Sequence, residues 1–106
     1  MTEVVFTERG GKLTGFEVSG HTGLFEAGKD ILCAAVSSAV YLTANTITDV
    51  LHIPAEVAVD DASMRLTLPD AFVDQAEAVM QGLRLHLREL SRQYHRNLIV
   101  INRRCQ

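Results

Sequence analysis

The stretch DILCAAVSSAVYLTANTITDVL, Asp30 to Leu51, decides the fold. From Ile31 to Thr48 it carries no charge, so length and apolar content alone suit a membrane span. Ser37, Ser38, Thr43, Asn45, Thr46 and Thr48 make it too polar for hydrocarbon, and it reads instead as a buried helix. Its apolar residues occupy more than one face, and Ala34, Ala35, Ser38 and Ala39 are small. Both features predict a helix sandwiched centrally rather than laid on the surface. Asp30 offers a side-chain oxygen at the expected N-cap, and Pro54 disfavours helical geometry at Ile53, so the helix is expected over Ile31 to Leu51.

On the upstream side, Thr2–Thr7 alternates loosely, with Val4 and Phe6 on one face, and Lys12–Ser19 continues with Phe16 and Val18 sharing a face. Glu8-Arg9-Gly10-Gly11 between them makes a hairpin turn, and Gly20 to Lys29 is a loop. Downstream, Glu56–Val59 and Met64–Leu68 flank the turn Asp60-Asp61-Ala62-Ser63, giving a second hairpin. Pro69-Asp70 opens a second helix reaching about His95. Its Phe72, Ala76, Val79, Leu83, Leu87, Leu90 and Tyr94 recur at threes and fours and form one core-facing stripe. Asn97–Asn102 is a last strand. The expected class is α/β, α+β-like in detail: two helices packed on a mixed five-stranded sheet, in the order ββαββαβ. No linker or low-complexity tract interrupts the chain, so residues 1–106 are read as a single domain. Strand order does not follow from these patterns.

The 106 residues are 47% hydrophobic and 22% charged, ordinary values for a globular chain able to hold one core. A net charge of -3 argues against general nucleic-acid coating, though not against a local basic patch. Cys33 and Cys105 make neither a disulfide framework nor a zinc spacing, and His52, His86 and His95 have no ligand spacing with one another. No metal and no cofactor are therefore expected. MTEVVFTERGG lacks the basic start and apolar run of a signal peptide, which predicts a cytoplasmic protein away from membranes.

With Asp30 as N-cap, Cys33 is the third helical residue. There the unpaired N–H groups and the positive helix end favour an anion, lowering a thiol's pKa and offering donors to a developing oxyanion. His21 follows the second strand, and a strand packed under the helix can bring its ring to the thiol as a base. The loop's length does not force that meeting. Asp30 has two roles open to it, capping the helix or orienting His21. Ser37, one turn beyond Cys33, either joins the site or satisfies a backbone carbonyl. Against all of this stands the plainer reading of Cys33 as a small hydrophobe filling the core.

Gly20-His21, Gly28 and then Asp30-Ile31-Leu32-Cys33-Ala34-Ala35-Val36-Ser37 resemble the signature of the bacterial ribosomal-processing cysteine proteases, the Prp family. That signature is a Gly-His-Ala, a short loop, and G-x-D-[IV]-[VL]-C-A-[AG]-x-S; Thr22 stands where the family usually has alanine. The resemblance implies that Cys33 is the nucleophile and His21 the base, with Asp30 and Ser37 supporting. It implies a homodimer that removes a short N-terminal extension from large-subunit ribosomal protein number twenty-seven during ribosome assembly. The family's extensions are apolar with paired phenylalanines. Thr22, Gly23, Leu24, Phe25 and Gly28 then read as a lid over substrate with glycine hinges, or else Leu24 and Phe25 simply cap the core. The rival from another class is a non-catalytic, ribosome-associated dimeric scaffold of the same fold. Arg84, Arg88, Arg92 and Arg96 make a basic ladder followed by Arg103 and Arg104. The ladder either docks RNA or, with Asp70, Asp74 and Glu77 at the helix start, complements the helix dipole.

Overall fold

Gly10 and Gly11 close the first hairpin with φ of 60° and 83°, the left-handed pair that a two-residue turn between right-twisted strands prefers. They join β1 (Thr2–Arg9) to β2 (Lys12–Ser19). The computed structural model describes residues 1–20, 29–60 and 63–105, with the backbone alone at Lys29 and Asp30. Helix α1 (Lys29–Asn45) runs on into a wider π-type turn, Thr46–Val50. Then come β3 (Glu56–Val59), β4 (Ser63–Thr67), a 3-10 turn at Asp70–Phe72, α2 (Val73–Gln93) and β5 (Leu98–Arg104).

The sheet order is β3-β4-β2-β1-β5, with β1 and β5 parallel and the other neighbours antiparallel. Hence β2 and β3 run the same way, as do β4 and β5, and a helix joins each pair. Right-handed crossovers for both put the two helices on one face of the sheet. That is the expected mixed five-stranded sheet carrying two helices, with element order ββαββαβ.

Alternation along the strands sends Val4, Phe6, Phe16, Val18, Met64 and Leu66 toward the helices. There they share one core with Leu32, Val36, Val40 and Ile47 of the first helical segment and Ala76, Met80, Leu83 and Leu87 of α2. Phe6 and Phe16 face each other across the β1–β2 register with ring centroids 6.1 Å apart. Each large side chain buried here contributes about 1.5–3 kcal/mol relative to exposure. Glu8 continues the Val4–Phe6 face to the end of β1, where Arg84 of α2 lies 3.6 Å from its carboxylate with both side chains largely enclosed. Arg9 reaches Asp70 at 3.1 Å and Lys12 pairs with Asp74, so the hairpin is tied to the start of α2 by charge.

Several expectations need correction. The helix expected to be sandwiched centrally lies beside α2 on one face of the sheet, and among the described residues no layer lies above it. Only 33% of the Ile31–Val50 window is buried, although its mean hydropathy is 1.5 and its length would suffice to cross a membrane. Ile31, Tyr41, Leu42 and Val50 are exposed. Within α2, Met80 belongs to the core stripe, whereas Tyr94 lies beyond the helix and is exposed. The helix ends at Gln93 rather than His95, which moves Arg96 off the ladder and into the turn before β5. Cys105 is half-buried, and its N–H donates to the Glu8 carbonyl at 2.7 Å.

The end of the first helical segment has a definable cause. Thr43, Thr46 and Thr48 donate their hydroxyls to carbonyls four residues back, at 2.8, 2.7 and 3.0 Å, and such back-bonding loosens a helix. The chain then widens so that Leu51 N–H reaches the Thr46 carbonyl and Ile53 N–H the Ile47 carbonyl, at 2.9 and 3.0 Å. His52 between them adopts φ of 54°, a left-handed position that glycine fills at many helix ends. Replacing His52 with glycine is expected to raise unfolding stability by about 0.5–1 kcal/mol, and replacing it with valine to lower it, as read from urea midpoints.

Candidate active site

Topology determines which ends of the chain meet. Helix α1 carries the chain from the end of β2 back to the start of β3, a strand parallel to β2. It therefore begins at the end of the sheet where β2 finishes, the end that also holds the starts of β1 and β4, since Ser19 is paired with both Glu3 and Ser63. Gly20 turns the chain out of β2 with φ of 85°, and a Cβ there would lie 2.2 Å from the Met1 carbonyl oxygen. Only glycine allows this close approach to the first residues of β1. His21 comes next in the sequence. It lies outside the described residues, as do Thr22, Gly23, Leu24, Phe25 and Gly28; of Asp30 only the backbone is described.

Cys33 and Ser37 are both half-buried on α1, one turn apart, and the cysteine is a free thiol. Their place in the helix differs from expectation. Lys29 and Asp30 are already helical, so Asp30 lies inside α1 rather than at its cap, and Cys33 lies more than three residues into it. Lysine is a good helix former and gives the helix no reason to wait for Asp30, while an acid inside the first turn still gains from the helix dipole. The amide of Cys33 is thus committed within the helix, and the open amides belong to the turn before it. A helical Cα–Cβ bond tilts toward the N-terminus, so the Cys33 side chain leans back toward those open donors. A thiol so placed has backbone amides nearby for an oxyanion; for acyl transfer it lacks only a base.

A sizeable groove among the described residues lies elsewhere. With a volume of about 580 Å³, it runs between the helices, lined on one side by Ala35, Ser38, Ala39 and Leu42, and on the other by Val79, Gly82, Leu83 and His86. At 100° per residue this side of α1 is roughly half a turn from Cys33 and Ser37. The groove was not anticipated as a feature of the molecule, although the small residues that open it, Ala35, Ala39 and Gly82, are visible in the sequence. Among the described residues no three His, Cys, Asp or Glu side chains converge to hold a metal ion.

The family model described as cysteine protease Prp matches residues 1–99. The ribosomal processing cysteine protease Prp of Staphylococcus aureus is 26% identical over 90 residues, covering 83% of this chain and 85% of the relative. Among solved structures, a Streptococcus mutans protein superposes with a TM-score of 0.91 at 21% identity, covering 99% of both chains. The Staphylococcus aureus protease in complex with a substrate peptide gives 0.87 at 24% identity over 97% of this chain and all of that one. The same protease with a covalently linked product peptide gives 0.86 at the same identity and coverage. With strand order, helix placement and a match running from the first residue into the last strand all in agreement, the chain belongs to the cysteine protease Prp family.

Proposed function

We propose that this chain is a cysteine endopeptidase of the cytoplasm, with Cys33 as nucleophile and His21 as general base. Its substrate is the N-terminal extension of large-subunit ribosomal protein number twenty-seven, removed during ribosome assembly. The observation that carries this reading is the free, half-buried thiol in the opening turns of α1, inside a family match that spans residues 1–99. Two further facts support it. In the sequence His21 follows the last residue of β2 by two, and β2 ends at the end of the sheet where α1 starts. The Staphylococcus aureus relative holds a covalently linked product peptide, which suits a nucleophilic enzyme.

In the proposed reaction the Cys33 thiolate attacks the scissile carbonyl carbon, and the oxyanion is met by open amides at the start of α1. His21, having taken the thiol proton, gives it to the leaving amine as the C–N bond breaks. Water then loses a proton to His21 and attacks the thioester; the acid departs and Cys33 regains its proton. Asp30 and Ser37 support the pair, Asp30 through the imidazole or through the helix start. The segment from Thr22 to Gly28 closes over the substrate, with Leu24 and Phe25 supplying apolar grip for an apolar extension.

The outer side of α1 favours a homodimer. A helix that is apolar all round is normally covered, and here Ile31 and Leu42 are 70% and 69% exposed on an uncharged face. Two copies can meet there without like-charge repulsion, and Ala34 and Ser38 allow close approach.

Four measurements test these statements. Mass analysis of the extended ribosomal protein should show cleavage by the unaltered chain, and about 10²–10⁴-fold slower cleavage by His21→Ala. Cys33→Ser should bind the extension yet leave it intact; unimpaired cleavage by either variant removes the mechanism. A chain that cleaves nothing, and whose Cys33 alkylates only above about pH 8, is the scaffold instead. Phe25→Ala should raise KM for an extension peptide severalfold with kcat and melting temperature unchanged, and an unaltered KM removes the lid role. Sedimentation equilibrium should give twice the chain mass, falling to one chain mass in Leu42→Glu.

A further inference from the structure

We propose that the edge formed by β5 and the second half of α2 docks on the phosphate backbone of RNA. The charges of this chain are segregated along its length. Residues 84–106 hold six arginines, no lysine and one acid, Glu89, whereas residues 1–83 hold the other twelve acids and only four basic residues. A net charge of -3 therefore conceals a strongly basic C-terminal portion, the pattern expected of a nucleic-acid footprint on an otherwise acidic chain.

The fold gathers that portion onto one edge. Strand β5 is the last strand of the sheet, and α2 runs back beside it, with Ser91 Oγ donating to the Leu98 carbonyl at 2.8 Å. The six arginines do not all do the same work. Arg84 is occupied inside the structure, bonded to Gln81 at 2.7 Å and facing Glu8, with its side chain only 15% exposed. With the Asn102 amide turned to satisfy both sides, its oxygen accepts from Arg84 at 3.0 Å and from Arg88 at 3.2 Å, which props Arg88 at the edge. Arg88, Arg92, Arg96, Arg103 and Arg104 are all exposed. Arg92 meets Glu89 at 3.3 Å, but that surface pair keeps the guanidinium 79% exposed.

Compensation of the helix dipole accounts for Arg92, in the last turn of α2. It does not account for Arg88 further inside the helix, for Arg96 in the turn, or for Arg103 and Arg104 on a strand. Arg88, Arg92, Arg96 and Arg104 follow the edge as a row rather than a clamp converging on one point, whereas Arg103 alternates with Arg104 and faces the helix-free side with Thr7 and Arg65. A row fits a linear polyanion, and guanidinium forks match phosphate oxygens in pairs. The outer N–H groups of an edge strand add further donors for phosphate. This surface needs no catalysis, so it stands apart from the proteolytic reading and fails separately from it.

The test is fluorescence anisotropy with a labelled RNA duplex of about 20 base pairs, a length that offers a continuous phosphate track. Binding should weaken with a log–log salt slope of about -3 to -4, as for roughly four neutralised phosphates. The triple variant Arg92→Glu, Arg96→Glu, Arg104→Glu should bind at least ~30-fold more weakly at low salt. Arg65→Glu, on the helix-free face of the sheet, should bind as the unaltered chain does. The corresponding Arg→Gln triple variant keeps the test open should charge reversal unfold the protein, and peptide cleavage should be unchanged in it. The proposal is overturned by unchanged binding in both triple variants or by a flat salt dependence. It is equally overturned if polyglutamate or phosphatidylserine vesicles are bound as tightly as the duplex.

Discussion

The burial of Leu32, Val36, Val40 and Ile47 in one core with Phe16, Val18 and Leu66 is the constraint that orders the rest of the molecule. A helix is stiff, so fixing these residues against the sheet fixes the rotation of α1 about its own axis. Cys33 and Ser37 then fall on one flank, the groove-lining Ala35, Ala39 and Leu42 on the other, and Ile31 on the outside. The same helix serves the core, presents the thiol and offers an uncovered apolar face. Charge is kept out of it for reasons that differ from side to side.

Much of the fold is legible in the sequence because its signals are local. The Gly10-Gly11 turn announces the first hairpin, and β3 occupies Glu56–Val59 as its alternation suggests. What is not legible is non-local. Strand order depends on which edges pair across long separations, and no periodicity records that. That the outer side of α1 stays uncovered by any described element is hidden for a related reason, since a helix with apolar residues all round carries no phase to say which side faces the sheet. The start of α1 was misjudged because Asp30 is acceptable both as a cap and inside the first turn, and the difference depends on the preceding chain. Arg96 looked like a rung of a helix because spacing alone cannot see that the helix stops at Gln93.

The site is legible in a different way. Capping and spacing single out Cys33 but leave core filling as the leading explanation, and only the resemblance around Gly20-His21 and Asp30–Ser37 reverses that order. The structure contributes what neither could: a free and partly accessible thiol near the start of α1, and an apolar groove on the opposite flank of the helix. The residues between Gly20 and Lys29, which include the imidazole, lie outside the described portion.

The contact between Gly20 and the Met1 carbonyl makes the very front of the polypeptide part of the frame around the residue preceding the histidine. Residue 1 is a wall there, although most of its own surface faces solvent. Purification handles belong away from residue 1, because bulk fused ahead of it would start beside a backbone approach that has no spare room at Gly20.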